Sequence, residues 1–509
     1  MIWRSSRRNR RTQRDPWDLD IPLFFWHEGA PWTIRDSFQS ACIMGATGSG
    51  KSSGSLRLLS RNFLKAGYGA LFCCVKREDG ETYEQYVREA GRESDLIAFS
   101  PSNPLRTNFI AAEREQCPDA IGLADTLTSL LTTVASLGDR SGQARGGGSE
   151  NAEYFRQASE RLCRYAMLVL IQSGRELSAP NLYRLILSAP KSRDEPCNPE
   201  WQQASFFFGC LRAAEQSPKT ASEQADFELA TLFFMEEWCD LNTKTRTTVE
   251  STLTSATDAL SRGAARDALS APASTLNFSP SMLEEGKIVI LDYPVLVHRD
   301  VAKLIQVVVK HMVQRSLSRR DVRASPRPVC IICDECQHLM TEHDALFVTT
   351  ARSSRTSVVY ATQSVATLLE AFGGQSTEPQ MQSFLGNMQL QLHHQQTDTR
   401  TISYLQELTG KSLQHFVSSN TTRGQDWLGP LMGESSGGSA GISESYEFDL
   451  QSSDLNSLAK GGPPHFYTEA IVYQGGRPFA DGKTWSLVRI PQQGAPKRRK
   501  RRRRTRWSH

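Results

Sequence analysis

The sequence predicts an α/β protein with a mostly parallel sheet of the P-loop type and an inserted all-α domain. Two motifs predict this class. A glycine-rich phosphate-binding motif follows a short apolar segment near residue 45, and a second apolar segment ends in two acids near residue 335. Because helical sequence fills most of the interval between them, we expect the all-α domain to interrupt the α/β core.

The two ends of the chain are strongly basic. Residues 1–14 hold six arginines, residues 497–506 hold nine lysines and arginines, and neither stretch holds an acid. Without these 15 charges the formal net charge of +4 becomes −11, so the body of the chain is acidic. Such tails bind polyanions by counterion release, and we expect them to contact DNA or an anionic lipid surface; the alternative is a solubilising tail.

The phosphate-binding motif is GATGSGKSS, with the apolar segment SACIM before it and a helical pattern after it. Glycines allow backbone N–H groups to surround phosphates, and the following helix directs its positive end at them. We expect Lys51 to reach the β- and γ-phosphates and Ser52 to bind Mg²⁺. The predicted ATP-binding residues are Gly45, Ala46, Thr47, Gly48, Ser49, Gly50, Lys51, Ser52 and Ser53.

The interval between the two motifs is mostly helical. Apolar residues recur at helical spacing in AEYFRQASERLCRYAMLVLIQSG and in later segments, and an α/β pattern returns at GKIVILDYP. We therefore expect five parts: a basic tail (1–14), the first part of a nucleotide-binding domain (15–111), an all-α insertion (112–284), the second part of the nucleotide-binding domain (285–490) and a basic tail (491–509).

The segment CIICDECQHLM, residues 330–340, permits two interpretations: a zinc site, or a strand that ends in catalytic acids. If the segment begins as a strand, Cys330 and Cys333 point to opposite faces and cannot hold one ion. No second CxxC pair lies elsewhere in the chain to complete four ligands. We therefore expect Asp334 to bind Mg²⁺ and Glu335 to act as the general base on the attacking water.

Two further candidate residues follow the acid pair. The apolar strand VVYAT ends at Gln363, which would place this side chain beside the acids as a sensor of the γ-phosphate. Arg352 and Arg355 are predicted at the end of the intervening helix, where an arginine could reach the site of a neighbouring subunit as a finger. The alternative is that these arginines complement the helix dipole.

The segments after Gln363 carry no further predicted chemistry. We expect His393 and His394 to be structural, because adjacent residues on a strand diverge. TDTRTISYLQELTGK is predicted to be a helix capped by Thr397 and ended at Gly410. Residues 417–445, rich in Ser, Gly and Thr, are predicted to be a linker or mobile loop, followed by two strands that return to the core.

Together these motifs resemble the TraG/TraD class of type IV secretion coupling proteins, the P-loop ATPases of conjugative DNA transfer. The resemblance covers roughly residues 40–110 and 285–490, weakly the insertion, and neither tail. It is carried by GATGSGKSS, Asp334-Glu335, Arg352 eleven residues before Gln363, Asn387, TDTRTISYLQELTGK and LAKGGPPHFYTEAIVYQGGRPF.

The resemblance implies a RecA-like fold and an ATP- and Mg²⁺-dependent hexamer that translocates DNA, with sites between subunits. It implies DNA as the partner, with the transferred single strand favoured over a duplex, which stays the alternative, together with a relaxase or relaxosome and secretion-channel proteins. The implied roles are phosphate and metal binding by Lys51 and Ser52, metal and water binding by Asp334 and Glu335, sensing by Gln363, and a finger in trans from Arg352, with Arg355 as the weaker candidate.

The sequence departs from this class at two places. Members usually carry N-terminal membrane helices, whereas this sequence starts with an arginine-rich stretch, and it has no run of 18 apolar residues. The class commonly has Asp-Lys-Gly-Glu after its second strand; here CCVKREDGE keeps only Lys76 and a displaced acid, to which we assign no role. Eleven scattered cysteines fit a reducing compartment. We expect a cytoplasmic protein, at most peripheral at the inner membrane.

Other functions stay open at this point. The P-loop and the acid strand alone also fit an FtsK/HerA-like DNA translocase, and a coupling ATPase could hand over protein rather than DNA. A nucleotide-gated DNA-binding scaffold without hydrolysis is a third alternative. Glu335 argues against the scaffold, because a module that hydrolyses nothing needs no such base.

Overall fold

The computed structural model describes residues 15–117, 119–139, 149–372, 377–422 and 437–492. Its strands are β1 (Pro22–Phe25), β2 (Pro31–Thr33), β3 (Ala41–Met44), β4 (Gly69–Cys73), β5 (Leu96–Phe99), β6 (Ile288–Leu291), β7 (Val329–Cys333), β8 (Thr356–Thr362), β9 (Leu390–His393), β10 (Lys411–Thr422), β11 (Gly437–Phe448), β12 (Tyr467–Gln474) and β13 (Trp485–Pro491).

Nine of these strands form one sheet in the order β13-β12-β9-β3-β8-β7-β4-β6-β5. From β9 to β5 all neighbours are parallel, and β12 and β13 add antiparallel strands at one edge. The mostly parallel α/β sheet predicted from the sequence is confirmed. The carboxyl ends of its parallel strands share one edge, where the following loops can bring functional side chains together.

Helices cover both faces of this sheet. Before β5 they are α1 (Ile34–Ser37), α2 (Arg57–Lys65) and α3 (Asp79–Ala90). Between β5 and β6 they are α4 (Phe109–Gln116), α5 (Ala120–Asp139), α6 (Ser149–Gln172), α7 (Ala179–Leu187), α8 (Pro199–Ala204), α9 (Phe206–Gln216), α10 (Ala221–Leu232), α11 (Trp238–Asp240), α12 (Thr243–Ser261), α13 (Gly263–Leu269) and α14 (Ser281–Glu284). After β6 they are α15 (Val295–Arg319), α16 (Glu342–Thr350), α17 (Val365–Phe372), α18 (Thr377–Asn387), α19 (Thr399–Thr409) and α20 (Ser452–Asn456).

The interval between β5 and β6 contains helices and turns but no strand among its described residues, apart from two isolated bridges, Ser100 with Asn103 and Asn108 with Ser270. Its first helix, α4, begins where the side chain of Asn108 accepts the N–H of Ala111 at 3.1 Å. Side chains of these helices and of one face of the sheet belong to a single apolar core. The helical part therefore packs on the sheet through a continuous interior.

The cysteines of β7 are core residues. Cys330 packs with the α2 and α3 side of the sheet, whereas Cys333 and Cys336 pack in the core on the opposite face. Burial raises the pKa of the thiols of Cys333 and Cys336 well above the usual range. The strand interpretation of CIIC is therefore the correct one, since Cys330 and Cys333 diverge.

The cap predicted for α19 was wrong by one residue. The helix is capped by Asp398, whose carboxylate accepts the N–H of Thr401 at 2.9 Å and its hydroxyl at 2.6 Å, and not by Thr397. An ionised carboxylate is the stronger acceptor for the unpaired N–H groups of a helix start. The predicted end of the helix at Gly410 is confirmed.

The mobile loop predicted over residues 417–445 was wrong at both of its ends. β10 and β11 form an antiparallel hairpin whose register runs from Lys411 with Phe448 to Thr422 with Gly437. Pairing between two segments separated in sequence satisfies their backbone groups, and a composition rich in Ser, Gly and Thr gives no sign of that partner. Residues 423–436 lie outside the described residues. The two strands predicted after the loop are confirmed as β12 and β13.

In the part of the chain that the structure describes, no helix has both the length and the apolar character needed to cross a membrane. The basic stretches 1–14 and 497–506, with the polyanion binding predicted for them, lie outside the described residues.

A buried ion pair fixes the segment that follows the acids of β7. The ammonium of Lys310, on α15, lies 2.6 Å from the carboxylate of Asp344 and donates to the carbonyl oxygen of Leu339 at 2.6 Å. The other oxygen of Asp344 accepts from Gln314 at 2.8 Å and from the hydroxyl of Tyr360 at 2.6 Å. Because the ammonium and both carboxylate oxygens are hydrogen-bonded, this charge pair can stay buried and hold α15, α16 and β8 in register.

Next to this pair, two histidine rings are in contact between α15 and α16. The ring centroids of His311 and His343 are 4.2 Å apart, and neither ring nitrogen of His311 has a hydrogen-bond partner among the described residues. Burial lowers the pKa of His311 well below its ordinary value and lowers that of His343 to about 4. Both rings are therefore neutral near neutral pH.

From the burial of His311 and His343 we predict a loss of stability in mild acid. The unfolded chain takes up these protons near pH 6.5, whereas the folded His343 resists protonation down to about 4. The free energy of unfolding therefore does not change with the ionisation of His343 above about pH 6.5, and it decreases as the pH falls from there towards 4. We expect the thermal unfolding midpoint to fall across this window, and the His343→Gln variant to show a shallower decline. Identical slopes for the two proteins would contradict this assignment.

Candidate nucleotide site

The predicted phosphate-binding loop connects β3 to a helix at the carboxyl edge of the sheet. After residues 45–51 the chain enters a π-helical turn, Ser52–Leu56, which continues as α2. Gly48 and Gly50 have φ of 73° and 90°, in the left-handed region that glycine tolerates. The N–H groups of such a loop and helix start form a cradle suited to phosphate.

The last strands of the sheet support this loop from below. A Cβ at Gly50 would lie 2.8 Å from the carbonyl oxygen of Lys460 and 2.8 Å from Oγ1 of Thr468. The Thr468 hydroxyl, on β12, is 3.0 Å from the carbonyl oxygen of Ser49. Only a glycine at position 50 permits this close approach.

His394 follows β9 and lies directly under the loop. Its Nε2 is 2.7 Å from Oγ of Ser55, and its Nδ1 is 3.1 Å from Oγ1 of Thr468. Burial, and then the charge of Lys51, lowers the pKa of this ring to about 3, so it is neutral. His393 makes neither contact, and the two rings diverge as the sequence predicted.

Lys51 is held inside the loop. Its Nζ donates to the carbonyl oxygens of Gly45 at 2.7 Å and Ala46 at 3.3 Å, and the residue is only 5% exposed. Burial lowers the pKa of Lys51, although the charges of Glu335 and Asp334 oppose the shift. The ammonium therefore lies within the loop, where it feels the charges of the acid pair.

The structure brings the first predicted acid onto the phosphate-binding loop. Asp334 follows β7, which is separated from β3 by β8 alone. The hydroxyl of Ser52 donates to Oδ2 of Asp334 at 2.6 Å, although the two residues are 282 positions apart. A hydroxyl and a carboxylate are hard oxygen donors of the kind that Mg²⁺ prefers.

Glu335 is held by three side chains. Its Oε1 lies 2.9 Å from Nζ of Lys76, and its Oε2 accepts from Gln337 at 2.9 Å and from Gln363 at 3.4 Å. Although burial alone would raise the pKa of Glu335, Gln337 and Lys76 lower it overall, so the carboxyl is ionised. Its backbone is left-handed, with φ 51° and ψ 48°. Such a conformation costs a non-glycine residue about 1–3 kcal/mol and must be held in place by its surroundings.

Gln363 lies in the site, at the carboxyl end of β8. In addition to the contact with Glu335, its carbonyl oxygen accepts the N–H of Gly45 at 3.2 Å and the side-chain amide of Gln396 at 2.7 Å. The residue thus touches both the phosphate-binding loop and the second acid.

The structure does not bring Arg352 to the site of its own chain. Arg352 is exposed and precedes β8, so it lies at the sheet edge opposite to the phosphate-binding loop. Arg355 also precedes β8, and its guanidinium donates to the carbonyl oxygen of Pro326 at 3.0 Å. Both arginines follow the end of α16 rather than occupying its last turn.

Several residues of the site were missed by the sequence reasoning. Lys76 and Gln337 contact Glu335, and Asp79 holds the backbone of Lys76. CCVKREDGE keeps the lysine of the stretch that is common in the class, which indicated Lys76. The acid of that stretch is displaced here, and so we assigned the segment no role. His394 and Thr468 gave no signal, because their contacts join segments that are distant in sequence.

Residues 328–454 match the family model described as the TraM recognition site of TraD and TraG. The matched segment begins just before β7 and ends within α20. It therefore includes the acid pair, Gln363 and the hairpin β10-β11. Comparison with curated proteins finds no match.

The chain has the fold of a conjugative coupling protein. The plasmid coupling protein TrwB in complex with ADP and Mg²⁺ aligns with a TM-score of 0.54 at 16% identity, over 94% of this chain and 90% of that chain. The trigonal form of the bacterial conjugative coupling protein TrwBdeltaN70 in complex with sulphate gives 0.54 at 14% identity, over 93% and 89%. TrwB in complex with the non-hydrolysable ATP analogue ADPNP gives 0.52 at 16%, over 93% and 89%.

These similarities confirm the RecA-like P-loop core predicted from the sequence. Together with the family match over residues 328–454, they confirm the resemblance to the TraG/TraD class.

The packing under the loop predicts that Gly50 is indispensable. In the Gly50→Ala variant, the new methyl group would meet the Lys460 carbonyl oxygen and Thr468 on a left-handed backbone, so we expect nucleotide affinity to fall about tenfold or more. The matched control is Gly91→Ala, at φ 70° with no atom close to the added Cβ, which should bind nucleotide normally. Titration with a fluorescent ATP analogue measures both. Equal affinities would show that β12 does not constrain the loop.

Proposed function

We propose that this chain is an ATP-hydrolysing coupling ATPase that translocates DNA in a conjugative or type IV secretion system. The observation that carries the proposal is the convergence of Ser52 on Asp334 at 2.6 Å, with Lys51 and Glu335 beside them. The family match over residues 328–454 supports the coupling-protein class. TrwB, which shares the fold, has structures with ADP and Mg²⁺ and with an ATP analogue.

In this proposal each group of the site has one task. The loop 45–51 and the helix start after it bind the phosphates through N–H groups, and Lys51 turns its ammonium from the Gly45 carbonyl to the β- and γ-phosphates. Ser52 and Asp334 would hold Mg²⁺, which supplies charge stabilisation at the transferring phosphoryl group. The oxygen donors present fit that ion.

Glu335 is proposed as the general base. It is ionised, and its charge acts on Lys51 of the loop, so its carboxylate is placed to take the proton of a water that attacks the γ-phosphate. As the new bond to phosphorus forms, the water proton passes to Glu335 and the bond to the ADP oxygen breaks. Gln363 contacts both Glu335 and the N–H of Gly45, which suits a sensor of the γ-phosphate.

The position of Arg352 supports a role in trans. An exposed arginine at the opposite edge of the sheet cannot serve its own site, so as a finger it requires a neighbouring copy of the chain. We propose a ring-shaped homo-oligomer, a hexamer by resemblance, in which Arg352 of one subunit completes the site of the next.

The proposed substrate is DNA, the transferred single strand in particular, delivered by a relaxase or relaxosome and passed to secretion-channel proteins. The description of the matched family, a TraM recognition site, favours a relaxosome protein as a partner of the segment 328–454. The basic tails would contact DNA or anionic lipid, which suits work in the cytoplasm at the surface of the inner membrane.

The catalytic assignment predicts a separation of binding from hydrolysis. In Glu335→Gln we expect ATP binding to persist and DNA-stimulated hydrolysis to fall about 100-fold or more, because only the base is lost. In Lys51→Ala we expect the binding of ATP itself to be lost. Glu342→Gln, a change to an exposed acid of α16, is the control and should behave as wild type. Phosphate release with and without single-stranded DNA measures hydrolysis.

Translocation is tested by displacement of streptavidin from biotinylated DNA. Wild type should displace it only with ATP. Active hydrolysis without displacement would favour a protein-handling ATPase, and absence of DNA stimulation would exclude the motor.

The catalytic assignment has its own contradicting outcome. Full hydrolysis of ATP by Glu335→Gln would show that another group acts as the general base.

The trans assignment predicts complementation between two inactive variants. A subunit with Arg352→Ala keeps Lys51 and an intact nucleotide site, and a subunit with Lys51→Ala keeps Arg352 as an intact finger. We expect each variant alone to lose most ATPase activity, and their mixture to regain part of it, because mixed interfaces pair an intact site with an intact finger. Arg355→Ala is the matched comparison for Arg352→Ala, because Arg355 is the weaker candidate for the finger. A mixture as inactive as its components would place the Arg352 requirement within one chain.

A further inference from the structure

One lysine bridges the two acids of the site. Lys76 follows β4, which is the neighbour of β7 in the sheet, so the two strand ends are adjacent. Its Nζ lies 3.1 Å from Oδ2 of Asp334 and 2.9 Å from Oε1 of Glu335. A single ammonium group therefore contacts both carboxylates.

The backbone that carries Lys76 is fixed by the start of α3. One carboxylate oxygen of Asp79 accepts the N–H of Val75 at 2.8 Å and the N–H of Lys76 at 2.7 Å. The next residue, Gly80, lies so close to the end of β6 that a Cβ would be 2.7 Å from the carboxylate of Asp292. The position of the ammonium is therefore set by the packing of α3 on the sheet.

The acid pair needs a cation at this place. The side chains of Asp334 and Glu335 are only 3% and 9% exposed, compared with 28% for Lys76. Two adjacent carboxylates with little access to water repel each other strongly unless a positive charge lies between them. Lys51 directs its ammonium to carbonyl oxygens of the loop instead, and so the direct ion pairs are made by Lys76.

Lys76 contacts a carboxylate oxygen of Asp334 that also binds a second group. Oδ2 of Asp334 accepts from Ser52 at 2.6 Å and also contacts Lys76. In the function proposed above, Ser52 and Asp334 hold the divalent ion. The ammonium of Lys76 and the divalent ion would therefore compete for the same carboxylate oxygen of Asp334.

We propose that Lys76 is the internal counter-ion of the acid pair, which positions Glu335 and competes with the divalent ion for Asp334. The inference rests on the proposed function and adds to it a positioning residue that acts through Glu335 rather than on the reacting atoms. A divalent ion held by Ser52 and Asp334 would take the place of Lys76 at Asp334, whereas the contact of Lys76 with Glu335 would be kept.

The competition is tested without nucleotide, by binding of Mn²⁺ to the full chain followed by electron paramagnetic resonance. In Lys76→Met, which keeps side-chain length and removes the charge, we expect Mn²⁺ to bind about tenfold or more tightly than in wild type. Lys76→Arg keeps the charge and should stay near wild type. Lys287→Met is the matched control, because Lys287 lies at the opposite edge of the sheet, 3.9 Å from Asp95.

Mn²⁺ binding by Lys76→Met that is equal to or weaker than wild type would overturn the competition. Circular dichroism checks the fold, and Lys76→Gln takes the place of the methionine variant if that variant does not fold.

The positioning role is tested by steady-state ATPase kinetics. With Lys76→Met we expect kcat to fall about tenfold or more while KM for ATP changes by less than about twofold, and Lys76→Arg should recover much of the loss. An unchanged kcat would refute the positioning role. A wild-type protein without ATPase activity would refute the proposed function instead, while the Mn²⁺ measurement would still decide whether Lys76 is the counter-ion.

Discussion

The hydrogen bond from Ser52 to Asp334 is the contact on which the candidate site depends. It joins the ends of β3 and β7, which are held apart by β8, so it can form only when these parallel strands end close to one another. The register meets this condition, since Met44 pairs with Thr362 and Cys333 pairs with Tyr360, so that the last residues of β3 and β7 lie about two residues apart along β8. A displacement of any of these strands by one residue would turn its side chains to the other face and separate the loop from the acid.

The same contact places two carboxylates where water has little access, and the surrounding structure compensates that charge. Lys76 and Gln337 bind Glu335, the hydroxyl of Tyr83 accepts the N–H of Asp334 at 3.3 Å, and the left-handed backbone of Glu335 is held between them. Behind the site, Lys310 binds the carbonyl oxygen of Leu339 and so fixes the turn after the acids. The position of Glu335 is thus set by a continuous polar network and not by β7 alone.

The order of the strands explains how the chain accommodates a long insertion without disturbing this network. The helices α4 to α14 leave from β5 at the edge of the sheet and return at β6, its neighbour, so no central pair of strands is separated. At the other edge, β12 and β13 return antiparallel and reach under the phosphate-binding loop through Thr468. The loop is consequently supported by residues more than 400 positions later in the chain.

By itself the sequence determined the α/β class, the phosphate-binding loop and the strand that ends in Asp334 and Glu335, because these follow from local patterns of glycines, apolar residues and acids. It also identified the divergence of Cys330 and Cys333, which the alternation of a strand dictates. Only the tertiary structure decided that Lys76, Gln337 and His394 belong to the site, that Arg352 lies at the opposite edge, and that residues 411–422 pair with 437–448. Each of these depends on strand order, register or pairing between distant segments, and such long-range contacts leave no periodic or compositional signal along the chain.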